Sequence, residues 1–381
     1  MKKALKFVIC FAAGGAAGLL IVAIFAVLFT DTTFIGFFSK FKDIDIGALY
    51  ASVVSLLALI VSVPLLSAIH EAGHLVAGCL TGYGFVSFRV FSLTLIKDGG
   101  HFRLKRFAIA GTGGQCLLSP PDVKAENMPH AWYNMGGVIA TTIAVVAAVA
   151  LIFVTDSLYL KIALTVFVII AAIMTLMNGI PMKLGGISND AYNMLQMRRD
   201  VGCRRAVAAM LRANALLQQG TRIKDMPGEL FEQSEITDYS NPLQLSPVLL
   251  EASRRLDAGD TDGAFELYDS LYQHHDSLLR LYRLEVKCEL LYICLISNRR
   301  EYADRLLDTE LLKYIETYAG ISSSKQRMLA AIELFVNNNR TKAEQIYHTI
   351  ITRRDTYLHK GEVDGDISLL SQMFCGDNKV S

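Results

Sequence analysis

The chain has 381 residues, 52% of them hydrophobic and only 19% charged, with a formal net charge of +1. That balance offers no basic surface for a nucleic-acid partner. Seven scattered cysteines without a CxxC pair argue against a disulfide framework or a thiolate zinc cage. Charge is unevenly spread: residues 7–30 carry none, 46–80 carry only Glu71, 131–180 carry only Asp156 and Lys161, and charges become frequent after about residue 196. The expected fold is an all-α polytopic membrane protein with about four transmembrane helices and a small membrane-surface β-hairpin, followed by an α-helical cytoplasmic domain.

About 20 apolar residues cross a bilayer as a helix. The stretches that qualify are roughly 7–29, 47–69 continuing into 70–80, 132–154 and 158–177. The first is read as a retained helix: its apolar run exceeds a typical signal-peptide core, and no A-x-A site ends it. Basic residues in short loops set the orientation. Lys2, Lys3 and Lys6 precede the first span, and the 81–130 loop holds Arg89, Lys97, Arg103, Lys105, Arg106 and Lys124. In loop 30–46, Lys40 and Lys42 are offset by Asp31, Asp43 and Asp45. Both termini and the 81–130 loop are therefore expected in the cytoplasm of a multi-pass protein of the cell membrane. The second span then runs inward.

Within the 81–130 loop, "FVSFRVFSLTLI" (85–96) reads as one strand, rich in β-branched and aromatic residues. "KDGGHF" supplies a turn and "FRLKRFAIA" a returning strand. "GTGGQCLLSPP" (111–121) is too rich in glycine and proline for regular structure.

The second span ends on "LLSAIHEAGHLVAG", an apolar helix carrying His70, Glu71 and His74. Residues four apart share a helical face, so both imidazoles can meet one metal ion with Glu71 beside them. This is the HExxH arrangement, in which zinc takes the histidines and the glutamate acts as general base. Ionisable groups inside a span are costly and mark function. No lysine or arginine lies in the span to pair with these three, and a divalent cation accounts for them. A catalytic zinc site needs a third protein ligand. His101 and His130 are available, as is Asp190 after the fourth span. There "MNGIPMKLGGISNDAYNML" (177–195) interrupts the helix with Gly179, Pro181, Gly185 and Gly186 before helix resumes. Ser188, Asn189 and Asp190 are also all good N-cap residues, so Asp190 reads as ligand or as cap.

These residues resemble the site-2 protease family of intramembrane zinc metalloproteases, over roughly residues 50–195. The resemblance implies a three-helix catalytic core within residues 46–196, zinc as cofactor, His70 and His74 as ligands and Glu71 as catalytic base. Asn178 and Pro181 match the family's Asn-x-x-Pro, with Asn178 holding the substrate or the oxyanion. The usual Leu-Asp-Gly aspartate is replaced by Gly186. Asp190 lies four residues later, and "GGISNDAYN" resembles a bacterial branch with Gly-Gly followed by Asn-Asp and Tyr-Asn. The implied activity is zinc-dependent cleavage of transmembrane segments in a single-span membrane protein or membrane-associated peptide. The alternative is a catalytically inactive relative that serves as a scaffold through its cytoplasmic domain. A transporter with an ion site at a broken helix is disfavoured by the lack of an inverted repeat. A substrate unwound for attack would pair with the edge of the 85–96 strand. Gly111, Gly113, Gly114, Gly136 and Gly137 would permit close backbone approach.

Residues 1–45 then form an N-terminal helix and external loop, 197–245 a linker and 246–381 a helical cytoplasmic domain. In that domain "GDTDGAFELY" (259–268), "NRREYADRLL" (298–307) and "NNRTKAEQIY" (338–347) place Ala264, Ala303 and Ala343 at intervals of 39 and 40 residues. That is a helical-hairpin period, near the tetratricopeptide type but longer, with apolar partner helices at 247–257, 281–296 and 326–336. Such an array offers a concave surface to a cytoplasmic protein partner. His274, His275 and His348 lack ligand spacing and are expected at the surface.

Overall fold

Helix α1 runs over Ile46–Leu80, 35 residues with no acidic group in its first turn and no basic group in its last. At about 1.5 Å per residue it is some 50 Å long, more than the ~30 Å of bilayer hydrocarbon. His70 and His74 therefore sit near one end of it, not at its middle. It is described, with the rest of the fold, by a computed structural model covering residues 46–98, 100–106, 113–184, 187–233 and 235–377. The first expected span (7–29), its loop and Gly111 lie outside the described residues.

Helices α2 (His130–Val154) and α3 (Leu158–Gly179) complete the membrane part. Among the described residues, three helices are long and apolar enough to cross a membrane. Their outer surfaces carry Leu57, Ile60, Ile143, Val146, Ile169 and Ile173, all exposed, as lipid-facing side chains must be. Small residues let α1 and α2 cross closely: a Cβ on Gly73 would lie 2.2 Å from the Gly136 carbonyl oxygen. Between α2 and α3, Thr175 Oγ1 donates to Thr141 Oγ1 at 3.0 Å.

The connection from α1 to α2 corrects two expectations. In place of a hairpin there is a four-stranded antiparallel sheet: β1 (Gly84–Val90), β2 (Leu93–Asp98), β3 (His101–Arg106) and β4 (Gly114–Ser119), in the order β3-β2-β1-β4. The 85–96 run is two strands, because Phe91 takes a left-handed φ of 52° and turns the chain so that Val90 faces Leu93. The turn expected at 97–102 is present, with Asp98 opposite His101 and Gly100 at a φ of 85°. The segment judged too rich in glycine to be regular contains β4. Its Gln-Cys-Leu-Leu run pairs with β1, Phe88 opposite Cys116, and buries Cys116, Leu117 and Leu118.

Beyond α3 a two-residue ladder, β5 (Lys183–Leu184) with β6 (Ile187–Ser188), leads into α4 (Asp190–Arg199) and α5 (Val201–Gln219). Stretch 197–245, assigned to a linker, thus holds a 19-residue helix that is part of the core. Val207, Ala208 and Leu211 of α5 pack with Val86, Cys116 and Leu118 of the sheet. Gln218 donates to the Val86 carbonyl at 3.0 Å. Eight further helices follow: α6 (Pro242–Ala258), α7 (Thr261–Tyr272), α8 (Arg280–Ile296), α9 (Arg300–Leu306), α10 (Thr309–Tyr318), α11 (Ser323–Phe335), α12 (Arg340–Thr352) and α13 (Lys360–Asp377). Ala264, Ala303 and Ala343 are buried, at 0%, 3% and 0% exposure, as alanines where helices meet. Helix α10 is an addition between the second and third expected hairpins.

Candidate metal centre

Two imidazoles on one turn of α1 define the centre. His70 Nε2 and His74 Nε2 lie 3.1 Å apart, and both side chains are buried. His74 Nδ1 lies 2.7 Å from the backbone carbonyl of Tyr133, in the first turn of α2. With the Nδ1 proton donated there, the Nε2 lone pair points into the site. That is the arrangement by which a metal-binding histidine is usually oriented.

Asp190 reaches this pair from the first turn of α4. Its Oδ2 lies 3.0 Å from His70 Nε2 and 3.4 Å from His74 Nε2. Burial alone would raise its carboxyl, but the two imidazoles beside it hold it down at about 2. The N-terminal end of a helix favours an anion as well. Asp190 Oδ2 and, at the other ring nitrogen, His70 Nδ1 are each buried without a hydrogen-bond partner of their own.

Two imidazole nitrogens and a carboxylate oxygen converge here, a donor set suited to a divalent cation. An ion with tetrahedral bonds of about 2.0–2.1 Å holds its ligand atoms about 3.3 Å apart. The separations here are 3.0, 3.1 and 3.4 Å. His70, His74 and Asp190 therefore fit a three-ligand site with a fourth position for water. Asp190 stands beside both imidazoles, and the N-cap bond is made by Asn189, whose Oδ1 accepts from Tyr192 N at 2.9 Å. His101 is exposed in the sheet, and His130 Nδ1 bonds Met128 O at 3.1 Å. Neither belongs to the group.

Glu71 lies on the neighbouring face of α1, half-buried and against the start of β4. A Cβ on Gly114 would stand 2.6 Å from both its Cγ and its Oε1. Buried Arg89 holds that corner, donating to Phe91 O at 3.0 Å and Gly114 O at 3.2 Å. Gly136 and Gly137 do allow close approach, but to α1. A Cβ on Gly137 would come within 2.6 Å of Nε2 on both histidines.

Other expectations need correction. The edges of the 85–96 stretch are occupied, β1 lying between β2 and β4 and β2 between β1 and β3. A substrate strand cannot pair there, whereas β4, beside Glu71, is an outer strand. Asn178 Nδ2 donates to Met174 O of its own helix at 3.0 Å, which leaves its second N–H and its Oδ1 for other partners. Pro181 is exposed after the end of α3. Of the remaining histidines, His274 and His348 are exposed and His275 half-buried.

Sequence reasoning missed Tyr133 and Arg89. Tyr133 acts on His74 through a backbone carbonyl, which leaves no mark in residue type. Its hydroxyl donates to Cys116 O at 3.0 Å, tying β4 to α2. Arg89 did carry a signal, being one charge within an apolar strand. No protein-family model matches this chain, and comparison with curated proteins and with solved structures found nothing similar to it.

Proposed function

We propose that the protein is a membrane-embedded zinc metalloendopeptidase that cuts transmembrane segments of single-span membrane proteins or membrane-associated peptides. One observation carries this reading: His70, His74 and Asp190, 120 residues apart in sequence, present three atoms at tetrahedral spacing. A bound zinc ion supplies Lewis acidity and brings the pKa of a water molecule near 7.

Glu71, beside the two histidines, would serve as the proton acceptor for an attacking water and as the donor to the leaving amine. His74 keeps its Nε2 available through the Tyr133 carbonyl. A helix hides its scissile carbonyl in its own hydrogen bonds, so the substrate must unwind before attack. The outer edge of β4, which begins at Glu71, receives the unwound segment as an added strand. Arg89, bound to the Gly114 carbonyl, keeps that edge in place. The helical region at 246–381, tetratricopeptide-like in its spacing, recruits or regulates through a cytoplasmic protein partner.

Co-expression of wild type and Glu71→Gln with candidate single-span proteins tests this, together with zinc analysis of both proteins purified without chelator. The expected result is stoichiometric zinc in both and processing by the wild type alone. Equal processing by the two removes the enzyme. Equal zinc with no processing by either leaves a metal-binding scaffold that acts through residues 246–381.

A further inference from the structure

The break after α3 deprives one carbonyl of its helical donor. In a continuing helix, Met177 O would accept from the backbone N–H four residues on. That residue is Pro181, which has none, so the end of α3 has lost a donor.

The missing donor comes from the other side of the break. Asn189 Nδ2 lies 2.6 Å from Met177 O and 2.6 Å from Ile180 O. Its Oδ1 accepts from Met182 N at 3.2 Å and from Tyr192 N, the N-cap bond of α4, at 2.9 Å. A side-chain amide has two donor hydrogens and two acceptor sites, and all four are engaged. The Asn189 backbone N–H donates to Met182 O at 3.2 Å, closing the short β5–β6 ladder. One side chain therefore joins the last turn of α3 to the first turn of α4, and the next residue is Asp190.

We infer that Asn189 is the positioning residue of the metal centre: a clasp that sets the depth and rotation of α4 so that Asp190 Oδ2 meets the two imidazoles. The inference rests on the metal reading above and adds how the third ligand is held. Pro181 and Asn189 form one device in it. Proline ends the span, and the asparagine repairs the end while aiming the ligand. Aspartate keeps the acceptors but loses the donors and sets a carboxylate against two carbonyls. Serine keeps only the cap.

The test is zinc affinity of the purified full-length chain, measured by competition with a chromophoric chelator, and the visible spectrum of the cobalt-substituted protein. Asn189→Ala is expected to weaken zinc binding about tenfold or more, as outer partners of metal ligands do. Its cobalt band should resemble that of Asp190→Ala and differ from that of wild type. In the double variant Asn189→Ala/Asp190→Ala the two losses should not add, because they act through one ligand. Asn189→Ser, which keeps the N-cap bond and so protects folding, should still lose affinity. Wild-type binding by both Asn189 variants, with loss at Asp190→Ala, overturns the clasp and leaves the ligand set intact. Full additivity overturns it too. Wild-type affinity in Asp190→Ala overturns the ligand assignment and the clasp with it.

Discussion

At the scale of single residues, the site depends on what is absent as much as on what is present. Gly137 has no side chain where α2 passes over the histidines, and a methyl group there would meet both Nε2 atoms at 2.6 Å. The obstructing atoms are the ring nitrogens of two buried side chains, the same atoms that would bind the metal. Gly137→Ala is therefore expected to lower zinc affinity by about tenfold or more while the chain still folds. Metal analysis with circular dichroism checks this, and full zinc occupancy in the variant would contradict it. Alanine at Gly136 or Gly73 acts differently, since the obstacle there is the partner helix's backbone. The damage then falls on the α1–α2 crossing itself.

Among elements, the helical region shows how buried charge is held. Arg327 of α11 is 3% exposed and lies between Glu289 of α8, at 2.6 Å, and Asp366 of α13, at 2.8 Å. Its guanidinium stacks over the Tyr292 ring at 3.9 Å, and Ser323 Oγ donates to Asp366 at 2.6 Å. Three helices are fixed by this one arginine. Burial pushes the Asp366 carboxyl up to about 7, with Arg327 opposing the shift and Glu362 adding to it. An unfolded aspartate titrates near 3.9, so between these values the folded chain binds the extra proton. The contribution of Asp366 to stability is thus full at low pH and is lost as pH rises through 7. The thermal midpoint of the full-length protein should fall between about pH 5 and pH 8 from this group, and Asp366→Asn should flatten that part of the curve. Parallel curves for the two proteins would remove Asp366 as the cause.

Over the whole molecule, α5 links the membrane part to the helical part. Val207 and Leu211 pack on the sheet, whereas Ala213 packs with Met226, Leu230 and Phe231, and Leu250 of α6 joins them. Lys105 of β3 also reaches Tyr357 O at 3.0 Å. The sheet beside Glu71 is thus packed, through α5 and Lys105, against the helical region. Orientation is tested by labelling. Cysteine placed at Ser157, in the link between α2 and α3, should react with an impermeant reagent from outside the cell. Cysteine at Val123, between the sheet and α2, should be protected until the membrane is opened. The opposite pattern would invert the topology drawn from the basic loops.

The sequence by itself determined three long apolar helices, the helical C-terminal region and the placing of His70 and His74 on one face of a helix. Each of these rests on local pattern: apolar length for α1 to α3, a one-turn repeat for His70 and His74, the spacing of Ala264, Ala303 and Ala343. Local pattern misled where pairing was the deciding force. Residues 114–119 look too irregular for a strand until β1 offers them partners, and 85–96 looks like one strand until Phe91 turns it. Only the tertiary structure decided that Asp190 and not His101 or His130 stands at the imidazoles, that Tyr133 sets a tautomer through its carbonyl, and that Asn189 spans a helix break. Those are relations between distant backbones, and residue identity encodes them only through the packing of the whole chain.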